Sequence, residues 1–272
     1  MTAIAKRREV KKASAYVAGK CFFKVLFAIL IILTVYVSLN FLEIYLYDLF
    51  KVDFLLNVPN AFTGISFNPD VKAIHITSSV LIVRFLLQTP LLFAILRIVS
   101  KTIDGDKTKL REVFFYFSLP RFFKVNWIAF LFITKILLQL LMFMLPSIIV
   151  FASTILFYFN PYNIGIYQIA LFFLSGMMML LGLFFGAYSS FKYFLVPIFI
   201  LNDHKIKIKG LFKKSKIIMK SYKGTLLFTF FTMFFWFLLS ISVIFIPFIL
   251  SYTFAIGLIY GTMYINEQII NF

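Results

Sequence analysis

Apolar residues gather along this chain into six long runs, at about 22–47, 74–99, 127–159, 165–200, 225–246 and 248–269, with short polar or basic stretches between them. Roughly 20 apolar residues in an α-helix cross the hydrocarbon layer of a bilayer. The runs therefore predict an all-α fold: a polytopic membrane helix bundle of about six transmembrane helices, making a single integral membrane domain of 1–272. Runs three and four exceed one membrane thickness, so each must tilt, kink or extend beyond the bilayer. Pro146 and Pro197 are the expected kink or end points, because proline removes a backbone donor. Only Pro247 separates runs five and six, which predicts an antiparallel hairpin.

The stretches outside the runs, 48–73, 100–126 and 201–224, are too short for a soluble domain. The first, with Pro59, Gly64, Asn68, Pro69 and Asp70, reads as turns. The chain looks like three hairpins, each opened by a basic, aromatic-rich segment: KKASAYVAGKCFFK, KLREVFFYFSLPRFFKVNW and KGLFKKSKIIMKSYKG. At about 100° per residue, the third places Leu211, Phe212, Ile218, Met219 and Tyr222 on one arc. Lys213, Lys214, Lys216, Lys220 and Lys223 take the remainder, with Ile217 the misfit. This predicts a basic amphipathic helix lying in the cytoplasmic interface, its apolar side in the acyl boundary and its lysines among anionic headgroups. Those five lysines are the candidate headgroup ligands.

Charge fixes the expected direction. Twenty-three basic residues lie in 1–24, 97–124 and 192–223, against Lys51 and Lys72 in the alternate connections. The positive-inside bias then puts both termini and both basic loops in the cytoplasm. The apolar stretch after the first basic segment is too long for a signal peptide and lacks a small-residue cleavage site, so the first span is expected to be retained. Composition agrees: 62% of residues are hydrophobic and 14% charged, whereas soluble domains sit near 45–50% and about 25%. The net charge of +17 then speaks for anionic lipid rather than nucleic acid as the partner. Heavy use of Phe, Ile and Lys hints at an AT-rich bacterial genome and hence a bacterial plasma (inner) membrane.

Polar residues inside the runs are the first candidates for chemistry, since Arg or Lys at the bilayer centre costs about 2.5–3.5 kcal/mol on insertion scales. Arg84 and Lys135 are such residues; Gln88 lies one turn from Arg84, and Glu43 could reach Arg84 across two helices. Structurally, Arg84 is held by Glu43 or Gln88; functionally, Arg84, Gln88, Lys135 and Gln139 would line a transport pathway. Gly182 with Gly186 and Gly257 with Gly261 form small-residue pairs that let helices approach, within one bundle or at a homodimer face.

Catalytic patterns are absent from the sequence. No HExxH, GxSxG or P-loop motif occurs, and His75 and His204 fall on opposite sides of the expected membrane. A lone cysteine, Cys21, excludes an internal disulfide and a cysteine metal cluster. The stretch Asp104-Gly105-Asp106-Lys107-Thr108 fails as a calcium loop, because Lys109 and Phe115 stand where the central Gly and final Glu belong. It reads as a turn ending the second span. No cofactor or metal is expected, and an ATP-driven role would need a partner membrane or ATPase subunit.

From about residue 91 onward, the tracts LLFAILRIV, FKYFLVPIFILND, KKSKIIMKSYKG and WFLLSISVIFIPFILSYTFAIGLIYGTMY carry a resemblance. The pattern resembles a family of six-span bacterial membrane proteins of unknown function, similar in turn to the membrane domain of some glycerophosphodiester phosphodiesterases. Ser215, Met219, Lys220, Lys223 and Gly224 are its most specific residues, and SISVIFIPF is poorer in Gly than the family's closing hairpin. The resemblance implies topology and no catalytic residue. Together these observations predict a non-enzymatic, transport-associated or lipid-interacting membrane module, with a transporter as the alternative.

Overall fold

The computed structural model describes residues 3–52, 71–153, 166–202, 208–220, 222–231 and 246–270. Among them every regular element is helical: α1 (Ala3–Leu49), α2 (Val71–Ile103), a 3₁₀ helix (Leu110–Phe117), α3 (Leu119–Ser153), α4 (Ile166–Ser190), a 3₁₀ turn (Phe191–Tyr193), α5 (Val196–Asn202), α6 (Ile208–Met219), α7 (Lys223–Phe231) and α8 (Ile246–Ile270). Five stretches are long and apolar enough to cross a membrane: Arg8–Leu49, Val71–Ile103, Leu119–Ser153, Ile169–Leu201 and Ile246–Met263. They match runs one, two, three, four and six. Of the fifth run, α7 covers the beginning, and 232–245 lies outside the described residues, as do the outer turn segment 53–70, the end of run three and His204. Large apolar side chains face outward along these helices, among them Phe41, Ile82, Met142 and Phe173. Only an apolar surrounding makes that arrangement favourable.

The chain divides into two compact units, Met1–Ile128 with Met233–Phe272, and Ala129–Thr232. In the first, α1 packs on α2 and α8. Its buried residues Ser14, Ala18, Cys21, Val25 and Ala28 recur at three- and four-residue spacing, which aligns them on one face. They are small, so the neighbouring backbones come close. Gly257 and Gly261 are buried in α8, where Ser251, Ala255 and Ile256 are also enclosed. In α2 the buried stripe is Leu91, Ala94, Ile95, Ile98 and Val99, the spacing of an amphipathic face.

Pro90 sits inside α2 and leaves the Leu86 carbonyl without its intrahelical donor. The Asn126 side-chain amide on α3 donates to that carbonyl at 3.3 Å, and to the Phe122 carbonyl at 3.0 Å. α2 stops at a glycine cap. Gly105 takes a φ of +82°, while the Asp106 N–H donates to the Lys101 carbonyl at 2.9 Å and the Gly105 N–H to the Thr102 carbonyl at 3.3 Å. The failed calcium loop is thus a helix end, as expected.

In the second unit α4 crosses α3 at its two glycines. A Cβ on Gly182 would lie 2.7 Å from the Phe143 carbonyl oxygen, and one on Gly186 would lie 3.1 Å from the Leu140 Cα. Both contacts involve backbone, so the glycines are used for packing within the chain. The fourth run is not one unbroken helix. α4 ends at Ser190, a 3₁₀ turn follows, and α5 restarts with Pro197 in its first turn, where a missing N–H costs nothing.

Candidate functional site

Three clusters of charged side chains stand out, two in the first unit and one in the second. The deepest surrounds Arg84. Tyr36, Asn40 and Glu43 follow one another on α1 at spacings of four and three, so they share a face. Arg84 Nη2 donates to Asn40 Oδ1 at 2.6 Å and lies 3.8 Å from Glu43 Oε2. Its guanidinium carbon rests 4.5 Å from the Tyr36 ring centre. Arg84 Nε is buried without a hydrogen-bond partner among the described residues. Further along the same interface the Tyr47 hydroxyl bonds the Thr77 hydroxyl. The expected Glu43 contact is therefore present, but Asn40 makes the shorter bond. Gln88 is half-buried one turn beyond.

The second cluster closes the end of α2. Glu112, on the 3₁₀ helix, accepts from Arg97 Nε at 3.0 Å and from Lys101 Nζ at 2.7 Å. Arg97 and Arg121 both lie over the Phe115 ring, at 3.6 and 4.0 Å from its centre. Burial alone would raise the Glu112 carboxyl. The bonds and charges of Lys101 and Arg97 outweigh it and hold the group below its ordinary value. The neighbouring Tyr116 hydroxyl is pushed up by burial, against the opposing charge of Arg97. Nothing in the sequence analysis singled out Glu112. The signal was a lone glutamate set among seven basic residues between 97 and 124.

The third cluster belongs to the second unit. Lys135 on α3 places its ammonium 5.2 Å from the Phe212 ring centre and 5.9 Å from that of Tyr193. Lys192 donates to Gln139 Oε1 at 2.5 Å and lies 5.0 Å from the Tyr193 ring centre. Lys223 lies 5.8 Å from the Tyr188 ring centre. The α6 helix forms over the first part of the amphipathic stretch 211–223 but ends at Met219, so Lys220 falls in the following turn and Lys223 opens α7. The apolar side of α6, however, is not turned to lipid: Leu211, Phe212 and Met219 are buried, and α6 packs on α5 and the 3₁₀ turn at 191–193. Ser215, fully buried, donates to the Lys192 carbonyl at 2.7 Å and ties α6 to that turn. Lys213, Lys214, Lys216 and Lys220 are exposed, with Ile217 among them, and Lys223 is half-buried.

Arg84 and Gln88 lie in the first unit, and Lys135 and Gln139 in the second. Among the described residues no group of three His, Cys, Asp or Glu side chains is placed to hold a metal ion. A scan against protein-family models matched none, and searches of curated proteins and of solved structures returned no match. The sequence resemblance thus rests on its own residues, and of these the geometry gives a use to Ser215 and Met219, both buried in the seat of α6.

Proposed function

We propose that this protein is a non-enzymatic, multi-pass membrane module of a bacterial plasma membrane, built to hold anionic lipid against a cytoplasmic basic face. One observation carries the reading. The α6 helix is seated on its own unit through Leu211, Phe212, Ser215 and Met219, and this turns Lys213, Lys214, Lys216 and Lys220 outward. A lysine at a negatively charged membrane surface contributes about 1 kcal/mol. The positive-inside bias assigns this face, both termini and the α2–α3 connection to the cytoplasm. Enclosure of Arg84 by Tyr36, Asn40 and Glu43 favours a structural part for it over a place in a transport pathway. The suspected six-span family, similar to a phosphodiesterase membrane domain, is consistent with this role, and a second copy or an ATPase subunit is the natural partner.

The test uses full-length protein extracted with a disc of native membrane. Lipids in the disc are quantified against bulk membrane for the wild type and for a Lys213→Gln, Lys214→Gln, Lys220→Gln triple variant. Anionic lipid should be enriched around the wild type and fall to the bulk proportion in the variant. A wild-type disc of bulk composition would overturn the reading.

A further inference from the structure

We propose that Lys135, Lys192, Lys216 and Lys223 form a discrete binding site for a phosphate-class anion, either a lipid phosphate headgroup or free phosphate. The site deepens the lipid reading above and has its own test.

Four separate elements, α3, the 3₁₀ turn, α6 and α7, each contribute one ammonium. Lys135 and Lys192 share the Tyr193 ring, at 5.9 and 5.0 Å from its centre. The α6 helix that carries Lys216 is tied to the Lys192 carbonyl through Ser215, and Lys216 and Lys223 add to the positive charge around Lys192. Gathering like charges costs free energy that grows as water is excluded, and Lys135, Lys192 and Lys223 are half-buried. In the first unit the comparable Arg97 and Lys101 are neutralised by Glu112. Among the described residues no such partner is present here. The one acidic residue between 129 and 232 is Asp203, which lies outside the described residues. No carboxylate among the described residues pairs with any of the four.

The surrounding groups orient the lysines without cancelling their charge. Gln139 accepts from Lys192, Ser215 holds the Lys192 backbone, and the rings of Tyr188, Tyr193 and Phe212 lie under the ammoniums. Such ring contacts offset only part of a full charge. What completes the arrangement is an external anion with several acceptor oxygens and up to two negative charges. A phosphate group meets that description, and lysine binds it as a point charge without the planar fork that arginine brings. Ser215 and Lys223 belong to the most specific tract of the sequence, and both serve this cluster.

The experiment uses the full chain in uncharged detergent micelles. Inorganic phosphate, dioctanoyl phosphatidic acid and zwitterionic dioctanoyl phosphatidylcholine are titrated separately, and apparent melting temperature is followed. Phosphatidic acid should raise it and phosphatidylcholine should not. An equal response to inorganic phosphate identifies free phosphate as sufficient, whereas a response to phosphatidic acid alone identifies the lipid headgroup; both uphold the site. Lys135→Gln and Lys192→Gln should each weaken the response about tenfold, the loss expected for one charged hydrogen-bond donor, and Lys192→Arg should keep most of it. If either glutamine variant fails to fold, Lys223→Gln at the rim carries the same expectation. Silence of the wild type to both phosphate probes, or an unchanged response in the glutamine variants, overturns the site. In that event anionic enrichment in membrane discs that still depends on Lys213, Lys214 and Lys220 leaves the surface reading standing. A phosphate response without such enrichment does the reverse.

Discussion

The two units treat buried charge in opposite ways. The first contains every arginine of the chain, and two partly buried ones have partners: Arg84 on Asn40, Glu43 and Tyr36, and Arg97 on Glu112 and Phe115. The second contains only lysines, set over aromatic rings and an amide oxygen. A paired guanidinium is spent internally: Arg84 engages Asn40 and Glu43, both on α1, and Arg97 engages Glu112. An ammonium without a carboxylate retains most of its charge and can accept an external anion. Helix contact differs too. α1 and α8 meet through a long run of small and medium side chains, whereas α4 reaches α3 through two glycines against backbone. The partly buried Arg84 and Arg97 of the first unit are therefore matched by partners within it, whereas the second unit depends on close packing and leaves its partly buried lysines without a carboxylate among the described residues.

The sharpest way to break this contrast is at Gly182. A Cβ there would stand 2.7 Å from a carbonyl oxygen, so Gly182→Ala should destabilise the second unit by about 1–3 kcal/mol, the usual cost of overpacking. Gly176, in the same helix, has open space around its Cβ position. Gly176→Ala should be neutral or slightly stabilising, since alanine is the better helix former. Equal melting temperatures for the two variants in detergent would mean that the α3–α4 approach carries no weight.

Comparable in size is the effect on the Arg84 network. Asn40→Ala removes the 2.6 Å bond to a charged donor and should cost about 1.5–3 kcal/mol. Glu43→Ala loosens a 3.8 Å ion pair and should cost about 0.2–1 kcal/mol. Arg84→Ala combined with Glu43→Ala should cost less than the sum of the single changes, because neither charge is then left alone. Strict additivity in unfolding experiments would remove the pairing from the account.

The smallest effect sharpens the electrostatic half of the comparison. Glu112 is held below its ordinary value of 4.5 by Lys101 and Arg97, against burial. A carboxyl with a depressed folded-state pKa contributes stability that is fully present above the unfolded pKa and is lost as pH falls through the folded one. Acidification from pH 5 toward pH 3 should therefore loosen the end of α2, read by hydrogen exchange at 97–117, with the second unit unaffected by this group. Glu112→Gln should abolish that acid-dependent step. An identical pH profile in the variant would show that the carboxylate does not hold the connection together.

Much of the architecture was legible because membrane insertion is a length-and-hydropathy problem. A run of apolar residues must cross as a helix, since no other local structure satisfies its backbone in lipid. Runs one to four and six correspond to helices long and apolar enough to span, and the turn at Asp104–Asp106 ends α2 where glycine allows a positive φ. The charge segregation of 211–223 likewise marked α6, which spans Ile208–Met219, although the stretch runs on past its end to Lys223 at the start of α7. Periodicity tells which side chains share a face, and there its authority ends.

What covers a face depends on which helices meet, and only the tertiary structure decided that. The apolar arc of α6 met protein in place of lipid, because α5 and the 3₁₀ turn lie beneath it. Asn126 acquired its role from Pro90, a residue 36 positions away in the chain, by filling the carbonyl that proline orphaned. Asn40 displaced Glu43 as the first partner of Arg84 because helix crossing, and not charge, sets which side chain comes within hydrogen-bond reach. Three basic, aromatic-rich stretches looked alike as strings. Side chains brought together from distant segments separated them into charges that are neutralised within the chain and charges that are left for something outside it.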